Sequence, residues 1–268
     1  MCKMEKPLQK TKWCGKPRYH FDVIDSTNIK AKELAQKNAE HGTLVTAECQ
    51  QAGIGRRGRS WSSEVGTGIY MSLLLRPDIK TSSASRLTLV AAISVAKAID
   101  EVLKAHGCEN AILQIKWPND IVLNKKKVCG ILTEMALTGT EIDYIVVGIG
   151  INVLNQTFCE EIQATASSIL LETGISVDKE ALIEEVWKQF EYYYAMFLET
   201  ENLEGFKAEY ESLLANQNNK VKVLDPNGEY EGTARGISNT GELLVETAQG
   251  ICEVSSGEVS VRGIYGYV

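Results

Sequence analysis

Gln50-Gln51-Ala52-Gly53-Ile54-Gly55-Arg56-Arg57-Gly58-Arg59-Ser60-Trp61 leads shortly into Gly68-Ile69-Tyr70-Met71-Ser72-Leu73-Leu74-Leu75, and the reading of this stretch decides the fold. Gly53, Gly58, Arg59 and Ser60 come close to the spacing of a nucleotide P-loop, which would hold phosphate at the N-terminus of a helix. Arginine, however, stands where that motif needs the compact ammonium of lysine. Ile69 to Leu75 is moreover an apolar run of the kind that forms a buried strand, so the loop does not open a helix. The stretch reads instead as a cationic flap with glycine hinges that leads into a buried strand. A basic, solvated surface loop is the alternative reading of the same residues.

Outward from the flap, the chain alternates between strand and helix signals. Tyr19 to Ile24 reads as a strand, followed by Ser26 as the cap of a helix through Ile29, Leu34 and Ala35, with Gly42 as its stop. Thr43 to Cys49 returns as a strand. From Ser83 to His106, apolar residues recur at three- and four-residue spacing, which predicts a long amphipathic helix ended near Gly107. Ala111 to Ile115 is a strand. Ile121-Val122-Leu123 and Val128 onward form a hairpin with Asn124-Lys125-Lys126 as its solvated turn, and Tyr144 to Val147 is a further strand. Helices are expected at 178–198 and 203–214, with Phe190, Tyr192, Tyr193, Tyr194 and Phe197 as packing residues.

At Asn216-Gln217-Asn218-Asn219 the pattern changes to short alternating strands separated by turns, among them Asp225-Pro226-Asn227-Gly228 and Ser238-Asn239-Thr240-Gly241, with Val259 to Val261 closing the chain. Some 50 residues of this kind suit a small β-barrel. The expected fold is α+β, a central mixed sheet with flanking helices over residues 1–217 and a small all-β unit over residues 218–268.

The 268 residues include 44% hydrophobic and 24% charged residues, enough for a sizeable core. A net charge of −7 argues against a general nucleic-acid binder, which carries a basic face. There is neither a signal-like N-terminus nor an apolar run of membrane-spanning length, so neither nucleic acid nor membrane is an expected partner. Seven cysteines without close pairs suggest reduced thiols and a cytoplasmic protein. His20, His41 and His106 are dispersed and read as surface residues; no metal-ligand set is readable.

Three polar segments follow strand-like runs: Ser26-Thr27-Asn28, Lys116-Trp117-Pro118-Asn119-Asp120, and Gly148-Ile149-Gly150-Ile151-Asn152. Strand ends are where α/β sheets assemble ligand sites. Together with the arginine flap, the order and wording of these motifs resemble the biotin protein ligase family from about residue 18 to the C-terminus. The resemblance implies a class II synthetase-like catalytic domain and an SH3-like C-terminal domain. It also implies an ATP-dependent ligase that makes biotinyl-5′-AMP and passes biotin to a lysine of a biotin carboxyl-carrier protein, with biotin, ATP and Mg2+ as its small molecules. A homodimer formed through an exposed sheet would be compatible with it.

In the first step a carboxylate attacks the α-phosphate, and two anions about 4 Å apart repel by on the order of 1 kcal/mol in water and severalfold more in a drier site. Fixed cations offset that repulsion. The resemblance gives this role to Arg56 and Lys116, with Arg57 and Arg59 supplementing the field, Gly53 and Gly55 as hinges and Trp61 as the anchor of the flap. Ser26, Thr27, Asn28 and Gln50 match the contacts to the biotin head; Asn119, Asp120 and Asn152 are candidates for magnesium, phosphates or the incoming amine, or are simple turn residues. The acceptor lysine must be neutral, a state held by about one in a few thousand at pH 7, and Asp120 is the candidate to take its proton.

Two departures stand out. Ile54 replaces the arginine usual in the family's Gly-Arg-Gly-Arg, which removes a cation that would help retain the intermediate. Only some 20 residues precede the first strand, too few for the helix-turn-helix of bifunctional members, so no repressor function is expected. A lipoate or octanoate ligase and a non-catalytic biotin-binding module are the competing readings.

Overall fold

The computed structural model describes residues 2–225, 228–257 and 260–263. Its first part holds strands β1 (Cys2–Met4), β2 (Arg18–Phe21), β3 (Leu44–Ala47), β4 (Gly53–Ile54), β5 (Ser60–Trp61), β6 (Gly68–Leu75), β7 (Leu113–Lys116), β8 (Asp120–Leu123), β9 (Lys126–Thr138) and β10 (Glu141–Asn152). Helices α1 (Thr27–Ala35), α2 (Leu87–Ala105), α3 (Ile169–Thr173), α4 (Lys179–Thr200) and α5 (Lys207–Ser212) accompany them. The sequence ends in β11 (Lys220–Leu224), β12 (Tyr230–Ile237), β13 (Leu243–Thr247), β14 (Gly250–Val254) and β15 (Ser260–Gly263).

β6 organises the main sheet because both of its faces are covered. Ile69, Met71, Leu73 and Leu75 point into the principal core beneath α2 and α4, while Leu74 packs with Phe21, Ala31, Ala35 and Val45 beneath α1. The two-residue period of a strand therefore sends Ser72 to the α1 side. The eight strands lie in the order β1-β2-β3-β6-β10-β9-β8-β7. Among the described strands of this sheet, only β2 and β3 pair in parallel, joined by the crossover through α1. The β7 edge is covered by the residues after α5: the Ile115 amide donates to Leu213 O at 2.7 Å and the Ala215 amide to Ile115 O at 2.9 Å.

The C-terminal strands form a separate antiparallel sheet, β14-β13-β12-β11-β15, as the SH3-like expectation required. Val221, Val223, Ile237, Leu243 and Val245 belong to the same contiguous core as α2 and α4. Trp117 links the two sheets: its Nε1 donates to Gly241 O at 2.9 Å and its backbone amide to Asn216 Oδ1 at 3.0 Å. The asparagine tract is thus a built joint. Pro226, Asn227 and Val259, which figured in the expected turn and last strand, lie outside the described residues.

Several expectations change. The expected hairpin turn stands at Asn124 and Lys125, with φ of 48° and 71°, while Lys126 already opens β9. β10 runs unbroken to Asn152, so the Gly148–Asn152 segment lies within a strand and not at the end of one. A 3-10 turn over Thr81–Arg86 precedes α2. α5 begins only at Lys207, because the Leu203 amide is committed to Asn239 O across the interface with the C-terminal sheet. His20 and His41 are partly buried: His20 Nδ1 lies 3.0 Å from Thr46 Oγ1, and His41 Nδ1 accepts from the Arg76 amide. Cys14, Cys49, Cys108, Cys129, Cys159 and Cys252 are free thiols. Among the described residues, no helix is long and apolar enough to cross a membrane.

Candidate functional site

Strand alternation builds the site's floor. On β10, Ile145, Val147, Ile149 and Ile151 enter the core, which turns Gly148 and Gly150 to the opposite face. Gly150 pairs with Gly130 on β9, and Gly148 pairs with Ser72 on β6. These glycines leave room that side chains from the rim occupy. A Cβ on Gly148 would lie 1.9 Å from Asn28 Oδ1, and one on Gly150 or Gly130 would lie 2.7 Å from the Trp61 ring. The resulting cleft, open to solvent on one side, spans about 450 Å3 with that solvent included.

One end of the cleft is a web of neutral hydrogen-bonding groups at the start of α1. Ser26 occupies the N-cap position but makes no side-chain cap bond, contrary to the role expected of it. Gln50 supplies the cap instead, its Oε1 accepting from the Thr27 amide at 2.8 Å. The isolated bridge between Ile24 and Gln50 brings the glutamine there. Ser26 is left lining the cleft beside Thr27 and Asn28.

The other end is cationic. β4 and β5 form a short hairpin, with Arg56–Gly58 as its 3-10 tip and Arg57 and Gly58 at φ of 58° and 71°. Gly53 is required at its base, since a Cβ there would lie 2.5 Å from Trp61 O. Arg56 donates to Asn119 Oδ1 at 2.8 Å, and also to the carbonyls of Ser256 and Gly257 in the turn after β14. Asp120 pairs with Lys127 at 2.6 Å and accepts from Asn119 at 3.1 Å. Lys127 in turn stands 5.4 Å over the Trp61 ring.

Lys116 closes β7 directly opposite Asp120 in β8. It is only 8% exposed. Burial lowers its pKa to about 8; Asp120 acts in the opposite sense, while Lys127, Arg262 and Arg59 add to the lowering. Burial likewise lowers the Arg56 guanidinium, opposed by Asp120 and reinforced by Arg57 and Arg59. One carboxylate thus serves both cations.

Of the residues expected from sequence, Ser26, Thr27, Asn28, Gln50, Ile54, Gly55, Arg56, Trp61 and Asn119 line this cleft. Lys116 and Asp120 are not among the lining residues; Asp120 follows Asn119 and acts by charge on both Arg56 and Lys116. Arg57 and Arg59 are exposed on the flap. Asn152 is not brought to the cleft: it is buried, and its amide donates to Ser167 O at 3.0 Å. Sequence reading missed Lys127 and the glycine floor. Alternation with the buried Cys129 and Ile131 turns Gly130 away from the core, but the same period would send Lys127 inward; the register shift between β8 and β9 beside Cys129 brings Lys127 to the Gly130 side, and nothing in the sequence signals it. Trp61 Nε1 is buried with no partner among the described residues, an indole donor left over for an acceptor in the cleft.

Residues 20–152 match the model of the Biotin/lipoate A/B protein ligase family, and residues 218–262 that of the Biotin protein ligase C terminal domain. The bifunctional ligase/repressor BirA of Bacillus subtilis is 38% identical over 254 residues, covering 94% of this chain and 76% of that protein. The biotin–[acetyl-CoA-carboxylase] ligase of Paracoccus denitrificans is 31% identical, covering 89% of this chain and 98% of that one. The structure of the Aquifex aeolicus biotin protein ligase in complex with biotin and ATP superposes with a TM-score of 0.79 at 33% identity, over 92% of this chain and 98% of its own. The chain belongs to the biotin protein ligase family.

Proposed function

We propose that this chain condenses biotin with ATP to biotinyl-5′-AMP, releasing pyrophosphate, and transfers the biotinyl group to a lysine of a biotin carboxyl-carrier domain such as that of acetyl-CoA carboxylase. The observation that carries the reading is a single cleft with unlike ends: Thr27, Asn28 and Gln50 at one, Arg56, Asn119 and Lys127 at the other. A ureido head group needs paired donors and acceptors, and the neutral end supplies them. A carboxylate meeting an α-phosphate needs fixed positive charge, and the other end supplies that.

In this reading Arg56 and Lys116 hold the two anions together, Lys127 adds to the field, and Asp120 keeps the cations oriented and takes the proton of the incoming amine. Trp61 and the flap exclude water from the mixed anhydride. Ile54 lies at the lip where a further cation would retain the intermediate. Among the described residues no group of three or more His, Cys, Asp or Glu could hold a metal ion; magnesium would enter with the ATP phosphates and keep several waters. Residues 1–217 would carry the chemistry. Residues 218–268 would brace it through Trp117 and Arg56.

The test is Mg2+- and ATP-dependent labelling of a purified carrier domain with biotin, run in parallel with lipoate. Labelling by biotin and not by lipoate is expected. Labelling by lipoate alone, or biotin binding without ATP consumption, would overturn the proposal.

A further inference from the structure

The flap places its arginines in two different surroundings. Arg56 lines the cleft and is committed to Asn119 Oδ1 and to the carbonyls of Ser256 and Gly257. Arg57 and Arg59 flank Gly58 at the tip, are exposed, and form no ion pair among the described residues. Arg57 holds a left-handed backbone at φ 58° and ψ 35°, a conformation uncommon outside glycine and frequent where function fixes the chain.

Charge at this mouth is one-sided. Arg57 and Arg59 act on Arg56, while Lys127, Arg262 and Arg59 act on Lys116; Asp120 is the one carboxylate among these charges. It is already paired with Lys127 at 2.6 Å. The chain as a whole is acidic, with a net charge of −7. In the biotin reading, on which this inference rests, a carboxylate and a triphosphate fill the cationic field during the first step. Pyrophosphate then leaves, the carboxylate has become an anhydride, and the adenylate keeps one phosphate charge. The acceptor therefore approaches a cationic mouth on an acidic body. An acidic patch is drawn to such a mouth and repelled elsewhere, which both orients it and speeds its arrival. We propose that Arg57 and Arg59 are the docking contact for the carrier, and that the carrier meets them with acidic side chains around its acceptor lysine.

The test supplies the parent protein and its flap variants, at saturating biotin and ATP, with two acceptors. One is a purified carrier domain of acidic net charge, the other hydroxylamine, a small uncharged amine. Both attack the same acyl carbon and expel AMP, so the ratio of their kcat/KM values cancels any change in formation of the intermediate. In Arg57→Glu/Arg59→Glu the ratio of carrier to hydroxylamine should fall about tenfold or more. Arg57→Lys/Arg59→Lys keeps both charges and should retain most of the parent's ratio. Added salt should lower the ratio in the parent and not in the glutamate variant.

An unchanged ratio in Arg57→Glu/Arg59→Glu, an equal loss in the lysine pair, or a parent ratio indifferent to salt would each overturn the inference; the last of these needs no variant to fold. A parent protein that forms no biotinyl hydroxamate and shows no biotin-dependent pyrophosphate exchange would instead overturn the functional reading itself.

Discussion

Lys116 shows how residue-scale burial and charge set a site's working conditions. Its amine titrates near pH 8 in the free protein, well below the ordinary lysine value of 10.5. The cation is therefore present below about pH 8 and lost as pH rises through it. Bound ATP adds negative charge and pulls that pKa up, so binding should take up a proton between about pH 8 and 10, and ATP affinity should fall across that window. Calorimetric titrations in buffers of different ionisation enthalpy would measure the uptake; Lys116→Met should abolish it, and persistence in the variant would refute the assignment. The same shift means that the unfolded chain binds more protons than the folded one above pH 8, so this residue's contribution to stability becomes more favourable as pH rises through the window. Gly148 makes a second residue-scale case. Gly148→Ala places a methyl 1.9 Å from Asn28 Oδ1; overpacking should cost about 1–3 kcal/mol and weaken biotin binding. Thermal melts and biotin titration would check both, and an unchanged variant would mean that Asn28 can move aside freely.

At the scale of elements, the strand and helix patterns were readable wherever one period dominated. β6 announced itself as a continuous apolar run, and α2 as a three- and four-residue spacing. Ser26-Thr27-Asn28, the arginine flap and Lys116-Trp117-Pro118-Asn119-Asp120 also lie around one site, as their positions after strands suggested. What escaped depends on register. Ser72 is a lone polar residue in an apolar run, and its meaning appears only when β6 pairs with β10 and its face is turned to α1. Lys127 sits on a strand whose length could not be read from a hairpin signal, and Gln50 caps a helix from 23 residues away. Trp117 belongs here as well, since its partner Gly241 is 124 residues distant. Trp117→Phe should keep the packing and lose that bond, lowering stability by about 1 kcal/mol. Denaturant titration would detect it; no loss would show that the indole N–H contributes nothing to the joint.

For the whole molecule, the decisive feature is one core shared by both sheets. Leu89 on α2, Tyr210 on α5 and Val245 on β13 belong to a single buried cluster, so the two parts should unfold together. A calorimetric scan should give one transition whose van't Hoff and calorimetric enthalpies agree; two resolved transitions would contradict it. The shared core also holds the Ser256–Gly257 turn against Arg56, which makes the C-terminal sheet a support for the flap and not an appendage.

The most direct measurement is biotin-dependent exchange of labelled pyrophosphate into ATP by the parent protein and by Lys116→Ala, with biotin binding measured on both. The parent should exchange only when biotin is present, and the variant should bind biotin while exchanging at least about a hundredfold more slowly, as expected when a charge aimed at the reacting phosphate is removed. Undiminished exchange by Lys116→Ala, or exchange indifferent to biotin in the parent, would contradict the account.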